Sequence, residues 1–175
     1  MSKPTSSAAL PIAYVALRIL IVLNWIGGAG ILALLVVVII NEQWMMTAFK
    51  ISPSPDGERL VRGMRAVAGL GLVAIPLNYV LLKRLLAIVE TVRTGDPFVA
   101  ANAIRLRAIA WTLLALQVLS LVIGAIAKAV STPAHPLHLD AGFSLSGWLA
   151  VLLTFLLARV FAEGALMRED LEGTV

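Results

Sequence analysis

The sequence has no cysteine and few charges, and both absences restrict what the protein can be. Without cysteine the chain has no disulfides, no thiolate metal ligands and no thiol redox chemistry. Charged residues make up only 14% of the chain, whereas hydrophobic residues make up 60%. A soluble domain has about 45–50% apolar residues. A single domain of 175 residues cannot bury such an excess in water, so the composition predicts that lipid is part of its solvent.

Four long stretches without charge separate the clusters of charged residues. They cover residues 19–40, 66–82, 108–127 and 141–158. The first would reach about 33 Å as a helix, which is enough to cross a hydrocarbon core of about 30 Å. We therefore predict an all-α integral membrane protein, with four transmembrane helices in a bundle and a single membrane domain over residues 1–175.

Lysine and arginine predict the orientation of these spans. With the N-terminus in the cytoplasm, nine of these residues lie inside and five lie outside, and the excess of positive charge is expected on the cytoplasmic side. Both termini are therefore predicted to be cytoplasmic. The inside set is Lys3, Arg18, Lys83, Arg84, Arg93, Arg105, Arg107, Arg159 and Arg168.

The segments between the spans contain recognisable turn signals. Residues 52–57 read as a turn, with a helix expected from Glu58 onward. In the cytoplasmic loop, residues 83–107, the pair Thr94-Gly95 should end a helical extension of the second span. Asp96 is expected to cap a new helix that has Pro97 in its first turn and runs into the third span. Residues 159–175 form a cytoplasmic tail, expected to be a solvated helix that frays.

Residues of this loop and tail resemble a known family. In the loop they are Gly95-Asp96-Pro97-Phe98, Asn102, Arg105-Leu106-Arg107, Ile109 and Trp111. In the tail they are Phe161, Glu163-Gly164-Ala165, Leu166, Arg168 to Glu172 and Thr174-Val175. The pattern is similar to that of small bacterial four-span membrane proteins called domain of unknown function 2975.

The resemblance implies a topology and a location rather than a chemistry. Such proteins have no assigned activity, so no catalytic or binding residues carry over. The resemblance implies a multi-pass protein of the bacterial plasma (inner) membrane. It also suggests, by gene neighbourhood, a small transcription regulator of the lambda-repressor type as a partner.

Three amides stand out inside the spans, namely Asn24, Asn78 and Gln117. A polar amide in hydrocarbon needs a partner and should face other helices. These residues could form a polar seam for a substrate or ion, although hydrogen bonding between helices is the expectation that we favour. Pro76 adds a kink that suits either a static bend or a cavity. The spans contain no ionisable residue of the kind that proton-driven transport normally requires.

No residues suggest an enzyme, a cofactor site or a metal site. His135, His138 and Asp140 have spacing that could hold zinc, but a short loop with prolines gives little scaffold, so we predict solvated histidines. The basic residues lie at the edges of apolar segments rather than on one face, which favours lipid headgroups over direct nucleic-acid binding.

Two functional hypotheses follow. The first is a non-enzymatic membrane partner or sensor for a small cytoplasmic DNA-binding regulator. Its contact motif would be Asp96, Pro97, Phe98, Asn102, Arg105 and Arg107, together with the acidic tail. The second is a small transporter or oligomeric channel subunit that uses the polar seam, and homo-oligomerisation stays open under both hypotheses.

Overall fold

The computed structural model describes residues 9–48, 51, 54–133 and 139–172. These residues form five helices, whose bounds are α1 Ala9–Ile40, α2 Glu42–Ala48, α3 Pro55–Arg93, α4 Ala100–Val130 and α5 Leu145–Glu172. Four of them, α1, α3, α4 and α5, are long and apolar enough to cross a membrane. The prediction of an all-helical chain with four such helices is confirmed.

Each long helix packs antiparallel against the one before it. Between α1 and α3, Val38 lies near Arg65, and Trp25 stacks on Tyr79 with ring centroids 5.6 Å apart. Residues later in α1 therefore contact residues earlier in α3, as antiparallel packing requires. The contacts of α3 with α4 and of α4 with α5 follow the same order, so neighbouring helices in the chain are neighbours in space.

This arrangement defines two ends of the molecule. The end that holds the start of α1, the end of α3, the start of α4 and the end of α5 is called here the terminal end. The opposite one is the distal end. At 1.5 Å per residue, α3 is about 58 Å long, so it must extend beyond a hydrocarbon core of about 30 Å.

Long apolar side chains cover the outer surfaces of the outermost helices. Ile12 and Ile40 of α1 and Leu152 and Leu156 of α5 are all exposed. So much apolar surface is unfavourable in water. A helix satisfies most of its backbone polar groups internally, as hydrocarbon requires, although Pro76 leaves the Leu72 carbonyl of α3 without its usual donor. The exposed surface therefore fits lipid.

At the distal end an apolar cluster joins α1, α2, α3, α4 and the segment between α2 and α3. It consists of Val38, Ile51, Leu60 and Val61, with Met46, Met64 and Val130 packed against it. Gly63 allows this close approach, because a Cβ there would lie 2.6 Å from both γ carbons of Val130. Arg65 adds a hydrogen bond from Nη2 to the carbonyl of Val38, at 3.0 Å.

The start of α3 differs from the sequence prediction by three residues. The helix begins at Pro55 rather than Glu58, because Ser54 adopts an extended conformation and its hydroxyl accepts a hydrogen bond from the Gly57 amide at 3.2 Å. Pro55 then occupies the first turn, where its missing N–H costs no hydrogen bond within the helix. Asp56 and Glu58 complement the positive end of the helix dipole.

Candidate functional site

The turn between α3 and α4 begins as the sequence predicts. Thr94 caps the end of α3 and its amide donates to the Glu90 carbonyl at 3.1 Å. Gly95 follows with φ of +90°, a conformation that side chains other than hydrogen disfavour. The prediction that Thr94-Gly95 ends the helix is confirmed, and the chain reverses direction here.

The start of α4 corrects the second part of that prediction. The helix begins at Ala100 with Val99 at its N-cap, and Asp96 does not cap it. The reason lies in Asn102, whose side-chain nitrogen donates to the Pro97 carbonyl at 2.9 Å. This bond holds the Pro97 carbonyl outside the helix, so residues 96–99 stay outside α4, and Val99 is extended.

Asn102 is the centre of a buried polar network. It is 0% exposed, and its side-chain nitrogen also donates to the Thr91 hydroxyl at 2.7 Å. Its Oδ1 accepts from Arg105 Nη1 at 2.8 Å, and Arg105 also donates to the Ala87 carbonyl at 3.3 Å. One side chain therefore links the end of α3, the α3–α4 turn and the first two turns of α4.

The final turns of α5 pack onto the same turn. Asp96 accepts a hydrogen bond and forms an ion pair with Arg168, which lies 72 residues further along the chain. The ring of Phe98 lies 5.2 Å from that of Phe161. Gly164 leaves room for it, because a Cβ at Gly164 would be 3.2 Å from Phe98. The described part of the tail continues α5 as one helix that contacts the loop, while residues 166–170 are exposed as the sequence predicts, and fraying of its end stays a prediction.

The loop and the tail together present a mixed surface, defined here as the loop–tail surface. Its apolar members are Phe98, Leu166 and Met167, which are 45%, 61% and 63% exposed. Glu169 and Asp170 lie beside them and are also exposed. These apolar side chains therefore lie next to charged ones at an end of the protein, beyond the charge-free runs of the spans.

The predicted contact motif divides into two groups in the structure. Asn102, Arg105 and the carbonyl of Pro97 belong to the buried network and position the turn. Asp96, Phe98 and Arg107 reach the surface, where Arg107 makes no hydrogen bond or ion pair with any described residue. Arg168 and Gly164 belong to the same surface. Their contacts with the loop could not be predicted, because they lie far from it along the sequence.

The amides of the predicted polar seam lie at different helix interfaces. Asn24 donates to the Ile75 carbonyl of α3 at 3.0 Å. Gln117 packs at Gly147 of α5, where a Cβ would lie 1.9 Å from the Gln117 side-chain nitrogen. Asn78 is half-buried on α3. The described structure therefore brings Asn24 to α3 and Gln117 to α5, and a shared role in transport stays a prediction.

Two polar atoms are buried within the spans without a hydrogen-bond partner among the described residues. They are Oε1 of Gln117 and Nε1 of Trp148. Within the described part of the chain no group of histidine, aspartate and glutamate could hold a metal ion. His135 and His138 lie outside the described residues, and Asp140 is exposed.

Comparison with known proteins agrees with the resemblance of the loop and tail. No curated protein and no solved structure matches the chain. A family described as protein of unknown function (DUF2975) matches residues 45–175. This match includes all of α3, α4 and α5, and with them the whole loop–tail surface, but it excludes α1. The match covers well over half of the sequence, so the chain belongs to the DUF2975 family.

Proposed function

We propose that the protein is a non-enzymatic anchor or sensor that binds a small DNA-binding regulator at a bacterial plasma membrane. In this proposal both termini are cytoplasmic, the four spans close into a bundle in lipid, and the loop–tail surface faces the regulator. The protein itself makes no direct contact with nucleic acid, and self-association of the spans remains a prediction.

The observation that carries the proposal is the ion pair and ring contact between the loop and the tail. Asp96 with Arg168, and Phe98 with Phe161 and Gly164, hold two distant segments in one surface. A tail that served only as a solvated end would need no such connection. Leu166 and Met167 remain exposed on this surface, where they offer the apolar centre that protein interfaces commonly have.

The charge of the surface also supports such a partner. Glu169 and Asp170 lie one and two residues after Arg168, so the end of α5 is acidic. Proteins that bind DNA carry basic surfaces. Complementary charges would guide a basic regulator toward the loop–tail surface and could compete with its DNA.

The experiment compares two substitutions of the same residue type on the same helix. Leu166→Glu places a charge in the loop–tail surface, whereas Leu145→Glu places one at the distal end of α5, where Leu145 is 74% exposed. The probe is the lambda-repressor-type regulator encoded nearest to the gene, co-expressed with the full-length protein and purified in detergent.

We expect the wild type and Leu145→Glu to retain the regulator, and Leu166→Glu to lose at least about tenfold in retention, since a central apolar contact is worth over 1 kcal/mol. Transcription from the regulator's promoter should change with deletion of the gene and with Leu166→Glu alike. Equal retention by both variants, or unchanged transcription after deletion, would refute the proposal.

Transport remains the second candidate, and the partnerless Gln117 Oε1 is the observation in its favour. A buried carbonyl oxygen without a donor could bind a polar solute or a water molecule. Flux assays in proteoliposomes would distinguish the two candidates. Under transport, Gln117→Met should abolish flux while the protein stays folded, and under anchoring no flux should exist in the wild type.

A further inference from the structure

A groove with a basic mouth lies between α4 and α5 near the terminal end. Its volume is about 360 Å³, which is within the range of about 300–1,000 Å³ common for small-molecule sites. Arg107 and Arg159 line it, and the remaining walls are apolar. The apolar lining residues are Ala103, Ile104, Phe155, Ala158 and Ala162.

Small residues of both helices line the groove, with Ala103 on α4 and Ala158 and Ala162 on α5. Ala158 and Ala162 leave space on α5 that a larger side chain would fill. Below this space, Phe155 meets Trp111 edge to face with ring centroids 5.4 Å apart. Trp111 lies one helical turn deeper than Arg107, or about 6 Å, so the groove is charged at its mouth and aromatic at its floor.

The two arginines at the mouth differ from Arg105, which is two positions before Arg107. Arg105 lies on the side of α4 that faces α3 and donates hydrogen bonds to Asn102 and the Ala87 carbonyl. Arg107 lies on the side that faces α5 and has no hydrogen-bond or ion-pair partner among the described residues. Arg159 bonds Glu163 through Nε at 3.1 Å, and its terminal nitrogens donate to no described residue.

We infer that this groove binds the phosphate and part of one acyl chain of an anionic phospholipid. Guanidinium groups bind phosphate oxygens with paired, charge-assisted hydrogen bonds. Counting Arg107, Arg159 and Glu163, the mouth carries one net positive charge. That excess favours a headgroup with a net negative charge over a zwitterionic one. The change from arginine to aromatic over one turn matches the change from headgroup to acyl chain at a membrane interface.

Glu163 orients Arg159 but also competes with the lipid phosphate for it. Glu163→Gln should therefore strengthen anionic lipid binding. This response separates the site from one in which the carboxylate holds a choline group, because the same substitution would there weaken binding.

The test measures lipid retention by native mass spectrometry of the full-length protein in detergent. The probes are phosphatidylglycerol and phosphatidylcholine with identical acyl chains. Arg107→Ala should retain the fold, because the side chain is exposed and has no partner among the described residues. Arg93→Ala is the matched control, since it removes an exposed arginine at the same end that lies over the ring of Tyr14 instead.

We expect wild type and Arg93→Ala to retain one phosphatidylglycerol in preference to phosphatidylcholine. Arg107→Ala should lose about tenfold in affinity for phosphatidylglycerol. Ala162→Phe should reduce retention while both arginines remain, because the ring fills the groove beside Arg159, on the side where the headgroup would lie. Equal affinity for the two lipids, or wild-type retention by Arg107→Ala or by Ala162→Phe, would overturn the inference. The outcome is independent of the regulator, because Leu166 does not line the groove.

Discussion

The terminal and distal ends of this protein are held together by different chemistry. At the terminal end, buried hydrogen bonds of Asn102 and an ion pair between Asp96 and Arg168 join α3, α4 and α5. At the distal end, an apolar cluster around Val61 joins α1, α3 and α4. Hydrogen bonds require partners at fixed positions, whereas an apolar cluster needs mainly volume and shape. The structure of the terminal end therefore depends more strictly on the identity of particular side chains than that of the distal end.

The family match covers most of both ends. The match covers residues 45–175, and so includes the complete Asn102 network and the loop–tail surface. The matched region also contains Val61 and Val130 of the distal cluster, but Val38 comes from α1, outside it. The matched segment thus holds every residue of the Asn102 network and six of the seven residues of the distal cluster.

The largest effect on this comparison is expected from Asn102→Leu. The substitution removes three hydrogen bonds, leaves the Pro97 carbonyl without its donor and takes from Arg105 the shorter of its two hydrogen bonds. The free energy of unfolding should fall by about 3 kcal/mol. Reversible unfolding in mixed micelles with sodium dodecyl sulfate, followed by circular dichroism, measures it.

The matched control for Asn102→Leu is Asn24→Leu, which removes a single hydrogen bond to the Ile75 carbonyl. Its cost should be about 1 kcal/mol or less, as is usual for amide bonds between spans. If the two substitutions destabilise the protein equally, the network around Asn102 contributes no more to the free energy of unfolding than a single hydrogen bond between spans.

An intermediate effect is expected from Gly63→Ala at the distal end. The new methyl group would lie 2.6 Å from the γ carbons of Val130, and overpacking of this kind costs about 2 kcal/mol. The double variant Gly63→Ala/Val130→Ala should recover most of that loss, because it restores the space. The same unfolding assay measures both.

Gly69→Ala serves as the control for this pair, since nothing lies within 4 Å of a Cβ at Gly69. It should leave the free energy of unfolding nearly unchanged. A failure of the double variant to recover stability would mean that the contact of Gly63 with Val130 does not hold the distal end together.

The smallest effect on global stability is expected from Asp96→Asn. The ion pair is 40% exposed at Asp96 and 45% exposed at Arg168, and pairs of this exposure contribute under about 1 kcal/mol. Locally, however, the last turns of α5 should open more often. Amide hydrogen exchange there should become faster, while exchange in residues 100–110 stays as in the wild type.

The charge-swapped pair Asp96→Arg/Arg168→Asp tests the same contact. It should return exchange in α5 toward the wild-type rate, because the two charges again have opposite signs. Unchanged exchange in Asp96→Asn would show that Phe98 and Phe161 alone hold the tail.

The spans and the turn after α3 could be predicted because their signals are local. A charge-free run of 20 residues or so favours a helix in lipid wherever it occurs, and Thr94-Gly95 ends a helix by its own backbone preference. The start of α4 could not be predicted in this way. Asp96 and Pro97 suit an N-cap, yet the Pro97 carbonyl is bound by Asn102 and the Asp96 carboxylate by Arg168.

The arrangement of apolar runs, charges and turn residues along the chain was therefore enough to establish four membrane-crossing helices and where α3 ends. Helix packing decided the rest. It buries Arg105 in a network but leaves Arg107 exposed, brings Asp96 to a residue 72 positions away and forms the groove beside α5. These features could not be predicted because the partners are far apart along the chain. Which of several possible partners a side chain binds is decided only when the folded backbone brings one of them within reach.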